Sequence, residues 1–485
     1  MKPPASRSNP SVTIGTTGRW PFQSLVKLSG LELARHHYVV GTTGMGKSKF
    51  IAHCAASLIM QGVPCAVVDP HGDLAIDLLG ILKARGFYAS AEAFDRVWLC
   101  EFGRTDRYVP FNVLKQSDCD IYTIAKNVVD ACKRAWPELG ITFENLMSAC
   151  AHVLSENGLP LTMAMTLLNK KEFRERLLQQ VSDPVVVSYF HDEVDSWSKQ
   201  AAEQLSGSTK RRLYELSYAP ALRYSLGAQE NILDFHRFLQ EGVSVIYNLS
   251  GVTPDTRSLL GCLIAVGYEQ ATFARAKILE QDRHQYHLFY DEFQVMVDRS
   301  EGAFVTALSE ARKHHITQWL AHQTLSQISE RVQSALQNAL PTVFGLGRSD
   351  ALVSAQILGH YDPFRIKHLV DDAMQVERTH PQFFNVQEQF EVMAQEIEDL
   401  SVRTAFTKLV RKPLFGASKV ETIKFKTLDI GPMASWGEIQ ELREIYAQKL
   451  LRSIGDIGGE ALEQRNRASE QVCNTEAWLG RRGPV

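Results

Sequence analysis

The chain has 485 residues, 45% of them apolar and 22% charged, a globular composition that excludes a disordered chain, a collagen or a coiled-coil rod. Its length exceeds one minimal domain and fits about three domains, or a large α/β core carrying an insertion. Lys and Arg number 52 against 55 Asp and Glu, a formal charge of −3, which argues against a surface coated in basic charge but leaves room for local basic loops.

Residues 1–30 are rich in Pro, Ser, Thr and Gly, lack the apolar run of a secretory signal, and read as a flexible N-terminal arm. A strand is predicted at 38–40, running into GTTGMGKS at 41–48, with helical sequence to about residue 60. The most apolar stretch, 50–68, is interrupted by His53, Ser57, Gln61 and Pro64. A membrane span needs about 20 predominantly apolar residues, so none is predicted. Apolar runs at 65–68, closed by DPHGD, and at 96–100 continue the alternation of short strands with helices that builds a parallel sheet.

From 118 to 236 the texture changes to amphipathic helical periodicity, with Ile121, Ala125, Val128, Val129 and Cys132 on one stripe, and reads as an all-α insertion. Strand texture returns at 243–249, 285–290, 316–321 and 342–346. Segments 31–117 and 237–360 are thus two parts of one core, and 361–485 is a mixed, polar C-terminal extension with a last helix near 436–453. Eight cysteines without a C-x-x-C read as reduced cytosolic thiols.

GTTGMGKS satisfies G-x-x-x-x-G-K-[ST] in the required setting, after a strand and opening a helix. Glycines let successive backbone N–H groups point inward, and the helix N-terminus adds partial positive charge. Gly41, Thr42, Thr43, Gly44, Met45, Gly46, Lys47 and Ser48 are therefore assigned to phosphate binding. Lys47 reaches the β- and γ-phosphates, and Ser48 ligates Mg²⁺. Such a site needs a second carboxylate on the metal side, at the end of a neighbouring strand. Asp291 supplies it, and Glu292 beside it is the candidate base for an attacking water. The competing reading of this pair is an acidic helix start.

Gln323 follows the strand at 316–321, at the carboxyl edge where α/β ligands sit, and could sense a γ-phosphate or order the lytic water. Arg312 is the candidate arginine finger, with Arg348 its rival; a helix-end cation is the plainer reading of Arg312. His314–His315 carry no metal-ligand constellation, and His71 in DPHGD reads as structural.

HHYVVGTTGMGKS, VVDPHGDL (67–74), PFNVL (110–114), LFYDEFQ (288–294), ARKHHI and AHQTLSQI (321–328), in that order, resemble the TraG/VirD-type coupling proteins of type IV secretion and the related HerA/FtsK DNA-pumping ATPases. LRYSLGAQENILDF (222–235) is similar to that family's return from its all-α domain. The resemblance spans about residues 25 to 360. It implies a RecA-like P-loop core with an inserted all-α domain, a homo-hexameric ring, ATP and Mg²⁺ between subunits, and DNA in a central channel. It gives Lys47, Ser48, Asp291, Glu292 and Gln323 the roles above, with Arg312 acting in trans. Membrane-anchored members carry N-terminal spans, so this chain is read as a soluble member, cytoplasmic or peripheral at the inner face of the membrane through a partner.

The leading functional reading is an ATP-driven DNA translocase, the cytosolic motor of conjugative transfer, with a relaxase, a nuclease or a separate membrane anchor as partner. The alternatives are a HerA-like DNA-processing or anti-phage defence ATPase, a protein-substrate coupling ATPase, and a nucleotide-dependent switch. Candidate DNA contacts are Lys170, Lys171, Arg174 and Arg176, with Lys210, Arg211 and Arg212; the plainer reading of each cluster is a solvated helix face.

Overall fold

The computed structural model describes residues 10–456 apart from 19–20, 117–118, 137, 298–300, 372–378 and 412–418. Its strands in chain order are β1 (Ser11–Thr17), β2 (Ser24–Ser29), β3 (His37–Val40), β4 (Cys65–Asp69), β5 (Val97–Glu101), β6 (Arg107–Tyr108), β7 (Ser244–Asn248) and β8 (Tyr286–Tyr290). They continue with β9 (Ile316–His322), β10 (Leu340–Val343), β11 (Ile366–Asp371), β12 (Thr379–Phe383), β13 (Thr404–Arg411), β14 (Lys419–Thr427) and β15 (Arg452–Ser453). Eleven of them form one sheet in the order β2-β1-β14-β13-β10-β3-β9-β8-β4-β7-β5.

The seven strands from β10 to β5 run parallel. Their residues are almost all buried, as expected where helices cover both faces of a parallel sheet. All seven were expected as strands from sequence, with ends that differ by a few residues. The architecture is α/β with a parallel core, as the alternating texture required.

Two expectations about the chain ends need correction. Within residues 1–30, expected as a flexible arm, β1 and β2 pair antiparallel, with Val12, Ile14, Val26 and Leu28 at most 1% exposed. The apolar positions alternate, which is a strand signal, but the strand that pairs with β1 on its other side is β14, about 400 residues away in the chain. The described part of 361–485 is likewise more than an extension. β13 continues the core sheet antiparallel to β10, and β14 pairs antiparallel with β13; the helix Trp436–Leu450 packs beside β5, where Arg443 Nε pairs with Glu101 at 2.8 Å.

Between β6 and β7 the described residues contain helices and no strand, from Ile121–Ala135 to Phe235–Glu241. Asp120 and Ser198 cap two of these helices by accepting from the N–H groups of Thr123 and Ala201. The helical segment is tied to the core by a buried bidentate pair. Arg134 donates to both carboxylate oxygens of Glu269, on the helix Pro254–Ala274, at 2.8 and 2.6 Å.

Candidate nucleotide site

Strand β3 ends at Val40, and the chain turns through residues 41–46 before the helix Lys47–Met60. Gly44 and Gly46 take φ of 82° and 101°, in the left-handed region that a side chain disfavours. Gly41 has no room for a Cβ, which would lie 2.5 Å from that of Phe344. Lys47 is buried and folds back over its own loop, donating to the carbonyls of Gly41 at 2.5 Å and Thr42 at 3.2 Å. Burial lowers the pKa of its ammonium, against the pull of Glu292 and Asp291.

The second carboxylate does not come from the adjacent strand. β9 lies between β3 and β8, so Gln323 at the end of β9 sits between the P-loop and the acidic pair. Ser48 Oγ donates to Asp291 Oδ2 at 3.4 Å. Thr43 Oγ1 donates to Gln323 Oε1 at 2.7 Å, and Gln323 Nε2 donates to Glu292 Oε1 at 2.7 Å. One chain of side chains therefore links the P-loop to the candidate base. Glu292 is 6% exposed and holds φ at 48°, a strained backbone for a non-glycine residue, of order 1–3 kcal/mol, such as clusters at active sites.

Asp291 is buried, and its carboxyl is pushed up to about 7 by desolvation first, then by Asp69 and Glu292, with Lys47 opposing. Asp69, at the end of β4, was not singled out in the sequence. The pairing of Val68 with Tyr290 carries it to the same edge. It accepts from the N–H groups of His71, Gly72 and Ala75 at 2.8–2.9 Å, and burial raises its pKa. The buried Asp291 carboxylate beside the Ser48 hydroxyl fits a divalent cation. Ser48 and Asp291 would hold Mg²⁺ with the nucleotide phosphates, as hard oxygen donors suited to it. His71 lends the backbone N–H noted above. Among the described residues no group of three or more His, Cys, Asp or Glu could hold a metal by itself.

Arg312 is not brought to this site within the chain. It opens the turn Arg312–His314 ahead of β9, at the amino end of a strand whose carboxyl end carries Gln323. Seven strand residues separate the two by about 20 Å. Arg348 is committed elsewhere, paired with Glu391 and, at 2.8 Å, with Glu398. A further arginine escaped the sequence reading. Arg403, at φ 66°, donates its N–H to Met45 O at 3.0 Å and packs its Cγ against Gly46. No local motif marks it, because it comes from the start of β13.

The candidate nucleic-acid contacts divide. Arg174 is 5% exposed, donates to Leu167 O at 3.0 Å and pairs with Asp195, so it is a structural arginine and not a surface contact. Lys171 shares Asp195 at 3.1 Å. Arg212 lies over the Trp136 ring and pairs with Glu138 and, at 2.9 Å, with Glu215. These acids are distant from the basic clusters or one turn away, and cluster counting ignored them. Lys170 and Arg211 are exposed, Lys210 is half-buried, and exposed Arg176 lies over the ring of Phe173.

The family described as the central domain of helicase HerA matches residues 23–264. Among solved structures, the unbound bacterial conjugative coupling protein TrwB, in a form named for an N-terminal deletion, is 16% identical. It superposes with a TM-score of 0.52 over 84% of this chain and 87% of that one. The plasmid coupling protein TrwB in complex with a non-hydrolysable GTP analogue is also 16% identical, with a TM-score of 0.51 over 84% and 88%. At these identities the likeness is one of fold. No curated protein matches the sequence. No described helix is long and apolar enough to cross a membrane. The HerA central-domain match thus spans the first core segment, the helical insertion and the return into the core, and the chain shares the fold of a conjugative coupling protein over most of its length.

Proposed function

We propose that the protein is an ATP-hydrolysing motor that moves DNA, the cytosolic coupling ATPase of a conjugative or type IV secretion DNA transfer apparatus. The observation that carries the reading is the hydrogen-bonded run Thr43–Gln323–Glu292 beside Lys47, Ser48 and Asp291. It joins a candidate phosphate cradle, a candidate cation site and a candidate base in one cluster, buried at Lys47, Asp291 and Glu292. The fold supports it too, since plasmid coupling protein TrwB has been solved in complex with a non-hydrolysable ATP analogue.

In this reading Lys47 leaves the Gly41 and Thr42 carbonyls for the β- and γ-phosphates, where a cation is more strongly held. Ser48 and Asp291 hold Mg²⁺, which screens phosphate charge when bound. Glu292 accepts the proton of the attacking water, and Gln323 orients that water or senses the γ-phosphate. Lys170, Lys210 and Arg211 are the candidate DNA contacts that remain, and Arg312 acts in trans from a neighbouring copy in a homo-hexamer.

The test is steady-state ATP turnover with and without DNA, for wild type and Glu292→Gln. DNA is expected to stimulate wild type, and loss of a general base is expected to lower kcat by about 10²-fold or more. Turnover that ignores DNA would overturn the translocase reading and favour a protein substrate. Nucleotide binding without turnover would favour a switch.

A further inference from the structure

Both oxygens of the Glu292 carboxylate are occupied. Gln323 Nε2 holds Oε1 at 2.7 Å, and Gln294 Nε2 holds Oε2 at 2.6 Å. The two amides are not equivalent. Gln323 is tied on its other side to Thr43 in the P-loop, so whatever fills the loop competes for it. Gln294 opens the short helix Gln294–Val297, directly after the acidic pair, and its own Oε1 is buried with no partner. An amide that leaves one end unsatisfied in the interior while donating the other to a carboxylate is held there for that donation, since buried acceptors are rarely left unpaired. Neither composition nor motif had separated this glutamine from the rest of LFYDEFQ.

We infer that Gln294 is the positioning residue of Glu292: it anchors Oε2 and fixes the carboxylate plane, while Oε1, on the Gln323 side, is the oxygen released to meet the water. The inference rests on the reading of Glu292 as the base. A carboxylate able to rotate about its terminal torsion would present either oxygen in many directions, because that torsion is broad. One fixed donor removes the freedom, and proton transfer demands hydrogen-bond reach in a set direction. The backbone of Glu292, held at φ 48°, starts the same restriction.

The experiment is single-turnover hydrolysis of Mg-ATP by wild type, Gln294→Met, Glu292→Gln and the double variant, with binding of a fluorescent ATP analogue measured alongside. Met keeps the length of Gln and removes the donor. Gln294→Met is expected to slow hydrolysis by about 10- to 100-fold, the usual cost of losing a group that orients a reacting one, with affinity for the analogue unchanged. In the Glu292→Gln background it is expected to cost nothing more, because a positioning residue acts only through its partner. Additive losses in the double variant, or a wild-type rate in Gln294→Met, would overturn the assignment and leave the ATPase reading standing. Gln294→Leu repeats the comparison should Gln294→Met fail to bind the analogue. A wild type that binds the analogue and never hydrolyses ATP would overturn the functional reading and this inference with it.

Discussion

Asp291 sits among Asp69, Glu292 and Lys47 with the least exposed of electrostatic balances: three carboxylates and one ammonium, all buried. Its carboxyl, raised to about 7 chiefly by desolvation, has a definite sign in the stability of the nucleotide-free protein. A native pKa above the unfolded one means the native state binds more protons between about pH 4 and 7, so stability falls as pH rises through that window. Asp291→Asn removes the buried charge. Its thermal unfolding in the absence of nucleotide and Mg²⁺ is expected to match wild type near pH 4 and to exceed it by about 1 kcal/mol or more at pH 8. A stabilisation that is the same at both pH values would refute the electrostatic account. At this scale the local grammar of the sequence was informative. Lys47, Ser48, Asp291 and Gln323 each follow a buried strand, and a strand's carboxyl end is where polar residues meet. Asp69 and Arg403 were not legible, because the register of β4 on β8 and the return of β13 bring them to the loop.

Among the elements, the helical segment between β6 and β7 communicates with the core through Arg134 and Glu269. This pair is bidentate, and both side chains are nearly inaccessible. The site lies against Tyr290, the residue before Asp291, among the side chains lining a small cleft with Phe293 and Met296. Removing one partner leaves the other charge buried and uncompensated. Arg134→Ala is therefore expected to cost about 3–5 kcal/mol in denaturant unfolding, and Arg134→Met with Glu269→Met together to cost far less. If the double variant is as unstable as the single one, the loss is one of packing. The stripe at Ile121, Ala125, Val128, Val129 and Cys132 announced a buried helix face: the last four are at most 4% exposed, while Ile121 in the first turn is half-buried. It did not say what covers that face.

For the whole molecule, the placement of Arg312 has the most consequence. It lies at the amino end of β9, about 20 Å from the carboxyl edge that carries Gln323, so in the proposed ring it can serve only a neighbour's nucleotide. Mixing Arg312→Ala with Lys47→Ala subunits, each inactive alone, is expected to restore ATP turnover, because some interfaces then combine an intact P-loop with an intact finger. No recovery in a confirmed oligomer would remove Arg312 from the role. Arg348, already paired with Glu391 and Glu398, would first have to break those pairs.

What the sequence determined by itself was the class of core and the phosphate loop. Both rest on short-range rules: apolar runs of strand length, helical periodicity, and glycines spaced for a turn that points N–H groups inward. Only the tertiary structure decided which strands are neighbours. It set β9 between the P-loop strand and the acidic strand, paired β1 with β14, and moved Arg174 from the surface to the interior. The physical reason is that pairing and burial are contacts between residues far apart in the chain, so neither leaves a mark on the spacing of residues within one segment.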